Sequence, residues 1–111
     1  MDAIPSKQND FSVVITTTET KQQAKALANK ILEERLAACV QVQKIESFYR
    51  WKDKIERGSE YLLAIKTKSS LFQALSEAIR ENHDYQTPEI IQIPILNGLP
   101  EYLAWINDIT S

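Results

Sequence analysis

Chemistry has few places to start in this chain. Among 111 residues there is one histidine, His83, and one cysteine, Cys39. Cys39 could serve as a thiolate ligand, a soft donor that copper(I) prefers. It sits, however, within Leu36-Ala37-Ala38-Cys39-Val40, and a free cysteine in such apolar company is more often a small buried hydrophobe. His83 lies between Asn82 and Asp84, beyond the end of a helical pattern. Its imidazole could hold a divalent ion such as copper or zinc, assisted by Asp84 or by the same residue of another subunit. A histidine whose positive form favours the carboxy end of a helix dipole fits the same position equally well. The sequence has no Gly-x-Ser-x-Gly elbow, no Cys-x-x-Cys pair, no His-Glu-x-x-His helix and no glycine-rich phosphate loop. Each of those is the signature of a known hydrolytic, redox, metalloprotease or nucleotide chemistry. The chain therefore reads as noncatalytic.

Composition narrows the partners. Thirteen basic residues against fifteen acidic ones give a formal charge of -2, so no positive field exists to gather nucleic acid or anionic lipid. A lone cysteine forms no internal disulfide, which points to a reducing, cytoplasmic setting. The longest apolar runs are about five residues, against roughly 20 needed to cross a bilayer. Residues Met1 to Asp10 read as a polar tail, without the apolar stretch of a signal peptide, and residues 11–111 as a single domain.

The positioning elements can be read from periodicity. Phe11, Val13 and Ile15 alternate with Ser12, Val14 and Thr16 in a β-branched run, which predicts a strand buried largely on both faces. Thr20 and Gln23 make a capping box ahead of Ala24, Leu27, Ala28 and Ile31, predicting a helix from about Lys21 to Leu36. Cys39 to Trp51 is rich in strand formers, but Val40 and Val42 stand in one phase and Ile45, Tyr49 and Trp51 in the other. A bulge near Gln43 and Lys44 would reconcile them. A tight turn over Trp51 to Ile55 leads into a third strand running to Thr67, with an irregularity expected at Gly58 and Ser59. Ser70 and Gln73 suggest a second capping box, for a helix ending near Asn82. Ile91, Ile93 and Ile95 form a fourth strand, which Pro94 consigns to a sheet edge, and Gly98 and Pro100 open a last helix.

The order is βαββαβ with an extra carboxy-terminal helix, the ferredoxin-like arrangement of the α+β class: an antiparallel sheet with helices over one face. Its second and third strands make a long hairpin. A strand from Cys39 to Trp51 extends on the order of 40 Å at ~3.3 Å per residue, about twice the usual length, so it must overhang its own sheet. The overhang carries Phe48, Tyr49 and Trp51, and exposed rings on an unpaired ribbon call for cover from another surface. That cover is either a second copy or the hairpin folding back on its own sheet.

Five motifs stand in order from about Ser12 to Ile109: Ala37-Ala38-Cys39-Val40, Ser47-Phe48-Tyr49-Arg50-Trp51, Glu60 with Ile65-Lys66-Thr67, Tyr85 with Thr87-Pro88-Glu89-Ile90-Ile91, and Tyr102-Leu103-Ala104-Trp105-Ile106. In these the chain resembles the CutA divalent-cation tolerance family. The resemblance implies a homotrimer of PII-like design, in which hairpins of neighbouring subunits pair and leave clefts between them. It implies a part in the response to divalent metal ions, with copper binding ascribed to some members. It also directs Tyr49, Trp51, Glu60, Lys66, Tyr85 and Glu89 toward the intersubunit cleft. There a cation, a carboxylate pair and aromatic walls could hold a small polar ligand, or the same residues could simply anchor the interface. In the first case the trimer would act as a signalling adaptor for an unidentified protein partner. Three positions depart from the family pattern: Asp53 stands for a glycine, Asp84 for a proline, and Thr16 for a cysteine implicated in copper binding in some members.

Overall fold

The alternation from Phe11 becomes β1 (Phe11–Thr18), in which Ser12, Val14 and Thr16 are buried while Phe11, Val13 and Ile15 are only half-buried. The strand is thus sealed on one face rather than both, because the helices that bury it lie on one side. The computed structural model describes residues 10–111. The tail expected over Met1 to Asp10 lies, Asp10 apart, outside the described residues.

Helix α1 (Lys21–Glu33) starts at the expected capping box: Gln23 N–H donates to Thr20 Oγ1 at 3.1 Å and Thr20 N–H donates to Gln23 Oε1 at 3.0 Å. It stops short of Leu36. Arg35 turns left-handed at φ 59°, and the N–H groups of Arg35 and Leu36 return to the carbonyls of Leu32 and Ile31, both at 3.0 Å. This is a Schellman closure, with Leu36 packing back on the core that holds Ile31. The usual glycine signal is absent, so the periodicity of the sequence ran past the stop.

Strands β2 (Cys39–Trp51) and β3 (Lys54–Lys68) pair in unbroken register from Cys39 opposite Lys66 to Trp51 opposite Lys54. Neither the bulge expected at Gln43 and Lys44 nor the irregularity expected at Gly58 and Ser59 exists. The change of apolar phase in β2 has another cause: Val40 and Val42 face the helices, whereas Ile45, Tyr49 and Trp51 lie beyond them on the opposite face. The hairpin closes through Lys52 and Asp53, both at positive φ (49° and 64°), as a two-residue type I′ loop requires.

A 3₁₀ turn (Ser69–Leu71) then leads into α2 (Phe72–Glu81). The capping box expected from Ser70 and Gln73 does not form: Leu71 is the N-cap, and Gln73 Nε2 donates instead to Glu77 Oε2 at 3.4 Å. The sheet fixes this entry directly, since Ser69 N–H donates to Asp10 O at 2.8 Å and the Ser69 and Ser12 hydroxyls are 2.6 Å apart. Strand β4 (Ile91–Pro94) pairs with β1, completing an antiparallel sheet of order β2-β3-β1-β4 with Pro94 on the edge strand as expected. Helix α3 (Pro100–Ile109) begins at Pro100.

One core lies between the sheet and the first two helices, joining Val14, Leu63 and Ile65 to Ala24, Leu27, Ile31, Leu75 and Ile79. Helix α3 does not share that face. It rests against β3 with the Tyr102 ring 5.9 Å from Lys66 Nζ, and Lys66 points opposite to its buried neighbour Ile65. The helix-covered face is already filled by α1 and α2, and a chain leaving the edge strand β4 is free to cross to the other side.

The overhang is present. Strand β1 reaches β3 only as far as Tyr61, so Ile45 to Trp51 and Lys54 to Glu60 pair with each other alone, as a two-stranded arm. The molecule is 55 Å long against 29 and 21 Å in the other directions. Within this subunit the arm leaves Phe48, Tyr49, Trp51 and Ile55 between 51% and 79% exposed.

Candidate functional site

Glu60 stands where the arm leaves the sheet. It shares the face opposite the core with Ser47 of β2 and Thr17 of β1, because the register sets those residues diagonal to it. Its carboxylate accepts from Ser47 Oγ at 2.7 Å, from Tyr85 Oη at 2.8 Å and from Thr17 Oγ1 at 3.3 Å. An ionised carboxylate offers about four acceptor positions, so about one remains for a donor brought from outside. Tyr85 is held firmly in its protonated form. Removal from water raises its phenol pKa most, followed by the hydrogen bond to Glu60 and by that residue's charge.

Tyr85 reaches Glu60 from the loop between α2 and β4, and His83 fixes that loop. The His83 Nε2 lies 2.6 Å from the Thr17 carbonyl, which can only accept, so this nitrogen carries the proton. Nδ1 in turn accepts the Tyr85 N–H at 3.0 Å. The two rings sit 4.8 Å apart, tilted by 49°. At the loop's start, Asn82 Nδ2 donates to Ala78 O at 2.8 Å, closing α2. The imidazole therefore works as a bracket between β1 and the backbone of Tyr85, with both nitrogens engaged.

Comparison with known proteins places this geometry. A family model described as CutA1 divalent ion tolerance protein matches residues 12–109. The chain belongs to the CutA1 divalent ion tolerance family. Protein CutA, chloroplastic, from Arabidopsis thaliana is 46% identical over 106 residues, covering 95% of this chain and 58% of that protein. The chain thus spans little more than half the length of that relative. Among solved structures, the periplasmic divalent cation tolerance protein CutA of Archaeoglobus fulgidus superposes with a TM-score of 0.89 at 36% identity, covering 91% of this chain and 99% of that one. CutA1 from Oryza sativa gives 0.87 at 41% identity, covering 95% and 98%. These CutA neighbours confirm the ferredoxin-like α+β architecture, and no helix among the described residues is long and apolar enough to cross a membrane.

Within the CutA1 fold, Tyr49, Trp51, Glu60 and Lys66 project from the sheet face opposite the core. Tyr49 and Trp51 lie on the arm, Glu60 and Tyr85 touch at its base, and Glu89 is exposed in the loop before β4. Lys66 is on the same face as Glu60 but six residues along β3, about 20 Å away at ~3.3 Å per residue, beside Tyr102. Cys39 opens β2 in register with Lys66, and Lys66 in turn pairs with Val13. Val13 is four residues, about 13 Å, along β1 from the Thr17 that holds His83.

A divalent ion held by one chain does not fit these side chains. Cys39 and His83 do not converge, and both His83 nitrogens have partners. Among the described residues no group of three or more His, Cys, Asp or Glu stands close enough to hold a metal ion. Thr17 lies in none of the quoted motifs, and Ser47 opens one of them without being assigned to the site. Their signal is the strand register, which is visible only once β1, β2 and β3 are aligned.

Proposed function

We propose that this chain works as a noncatalytic homotrimer in the response to divalent cations, with a cleft between subunits that takes a small polar ligand. The observation that carries this reading is the two-stranded arm. Four large apolar side chains, Phe48, Tyr49, Trp51 and Ile55, stand more than half exposed on that ribbon, and exposed patches of this kind mark association surfaces. The spacing of the other residues favours a shared site. Glu60 and Lys66 are too far apart along β3 to grip one small molecule from a single chain, so a ligand touching both takes one from each of two copies. The Glu60–Tyr85 knot then supplies one open acceptor position, Tyr49 and Trp51 supply aromatic walls, and Lys66 of a second copy supplies the cation. Copper or zinc is placed in this reading at donors shared between subunits, since among the described residues of one chain no three His, Cys, Asp or Glu converge. The single cysteine, with no partner for a disulfide, suits the cytoplasm.

A thermal-shift screen of copper, zinc and small anionic metabolites on the assembled protein tests the reading. It expects at least one compound to raise the unfolding midpoint, with the effect lost in Lys66→Ala and in Trp51→Ala. If no compound moves the midpoint and calorimetric titration of copper and zinc shows no micromolar binding, the ligand and cation parts of the proposal are wrong.

A further inference from the structure

We propose that Gln23 and Asp84 form a clasp between the start of α1 and the α2–β4 loop, and that this clasp positions Tyr85 against Glu60. Gln23 is more than a capping residue. Its Oε1 is committed to the Thr20 N–H at 3.0 Å, and that bond turns the amide so that Nε2 faces outward, where it donates to Asp84 Oδ2. Asp84 lies between the two residues that hold the site: His83, bracketed to Thr17 O, and Tyr85, bonded to Glu60. The clasp is therefore the loop's tie to α1, and the His83 bracket is its tie to β1.

The chemistry explains why the third helical residue is glutamine here. A capping box accepts Glu or Gln alike, since each presents an oxygen to the N-cap N–H. Only Gln also offers a donor, and the clasp needs one because ionised Asp84 can only accept. Glutamate at this position would keep the cap and set two carboxylates against each other. Asp84 and Gln23 thus make sense as a pair, and the aspartate that departs from the family pattern becomes an acceptor with an assigned donor. The functional weight of the clasp rests on the Glu60–Tyr85 site being the ligand-binding one.

Backbone hydrogen exchange, read residue by residue on the ligand-free assembled protein, tests the clasp. Gln23→Glu should speed exchange of the Tyr85 amide about threefold to tenfold while the Leu27 and Ile31 amides in α1 stay within about twofold of the parent. Asp84→Ala, which leaves the capping box untouched, should do the same. The double variant Gln23→Glu with Asp84→Asn reverses donor and acceptor, and should return Tyr85 exchange to within about twofold of the parent. A Tyr85 amide unmoved in both single variants, or a double variant that exchanges as fast as Gln23→Glu, overturns the clasp. Because no ligand is present, failure here leaves the cleft reading intact, and a cleft without any ligand leaves the clasp standing.

Discussion

Replacing Trp51 by alanine separates assembly from folding. The ring lies at the end of the arm, 59% exposed, with Lys52 Nζ 5.9 Å from the ring centre. A tryptophan presents up to about 250 Å², so covering the exposed part removes about 150 Å² from water. At ~25 cal/mol per Å² this is worth about 4 kcal/mol. Ordering of the ring and the surface retained by alanine reduce it to about 2–3 kcal/mol per arm. Each interface should then weaken roughly 30- to 150-fold. The subunit itself loses little, because surface substitutions usually stay within about 0.5 kcal/mol. Sedimentation velocity across a concentration series, beside circular dichroism melts, reads both quantities. Trp51→Ala should dissociate at concentrations where the parent stays assembled, and the separated subunit should keep its secondary structure. A variant that unfolds without first dissociating, or that assembles as tightly as the parent, would show that Trp51 does not anchor the contact between arms.

Further expectations concern the backbone, the core and pH. Arg35, Lys52 and Asp53 occupy left-handed conformations while neither glycine of the chain does, so Arg35→Gly and Asp53→Gly should each add about 0.5–1 kcal/mol in urea melts; a loss of stability in either contradicts the assigned strain. Thr16 is fully buried, and its hydroxyl has no hydrogen-bond partner among the described residues, so Thr16→Val should raise stability by about 1 kcal/mol, and a lower melting temperature would show that the hydroxyl has a partner. Tyr85 has a phenol pKa raised above its ordinary value. Folding therefore favours its protonated form, and its contribution is complete below about pH 10 and lost as pH climbs beyond. Tyr85→Phe should fall in stability less steeply than the parent over that alkaline range, and equal slopes would mean that the Glu60 bond does not form.

What was legible in the sequence was whatever local chemistry determines. The Thr20–Gln23 cap, the edge placement forced by Pro94 and the excessive length of Cys39 to Trp51 all follow from residue type and spacing, and all appear in the fold. The misreadings share one cause, that tertiary cover overrides local pattern. The phase change in β2 resembled a bulge, but it records the place where the helix layer ends and the arm begins. Ser70 and Gln73 spelled a cap, yet contacts of Ser69 to Asp10 and Ser12 set the helix entry first. Helix α1 overran on paper because Arg35 takes a conformation normally given to glycine. For the site, Glu60 and Tyr85 were legible through family motifs. Thr17, the Ser47–Glu60 bond and the Gln23–Asp84 contact were not, since only the register and the loop path bring them together.

Whether sister copies shelter the arm is read most directly by native mass spectrometry of the protein taken from its own cells. A dominant species of three times the 12.7 kDa chain, with any cleft ligand retained in its mass, is the result expected. A chain that stays monomeric at micromolar concentration, with Phe48, Tyr49 and Trp51 open to solvent, would contradict it and remove the shared cleft as well.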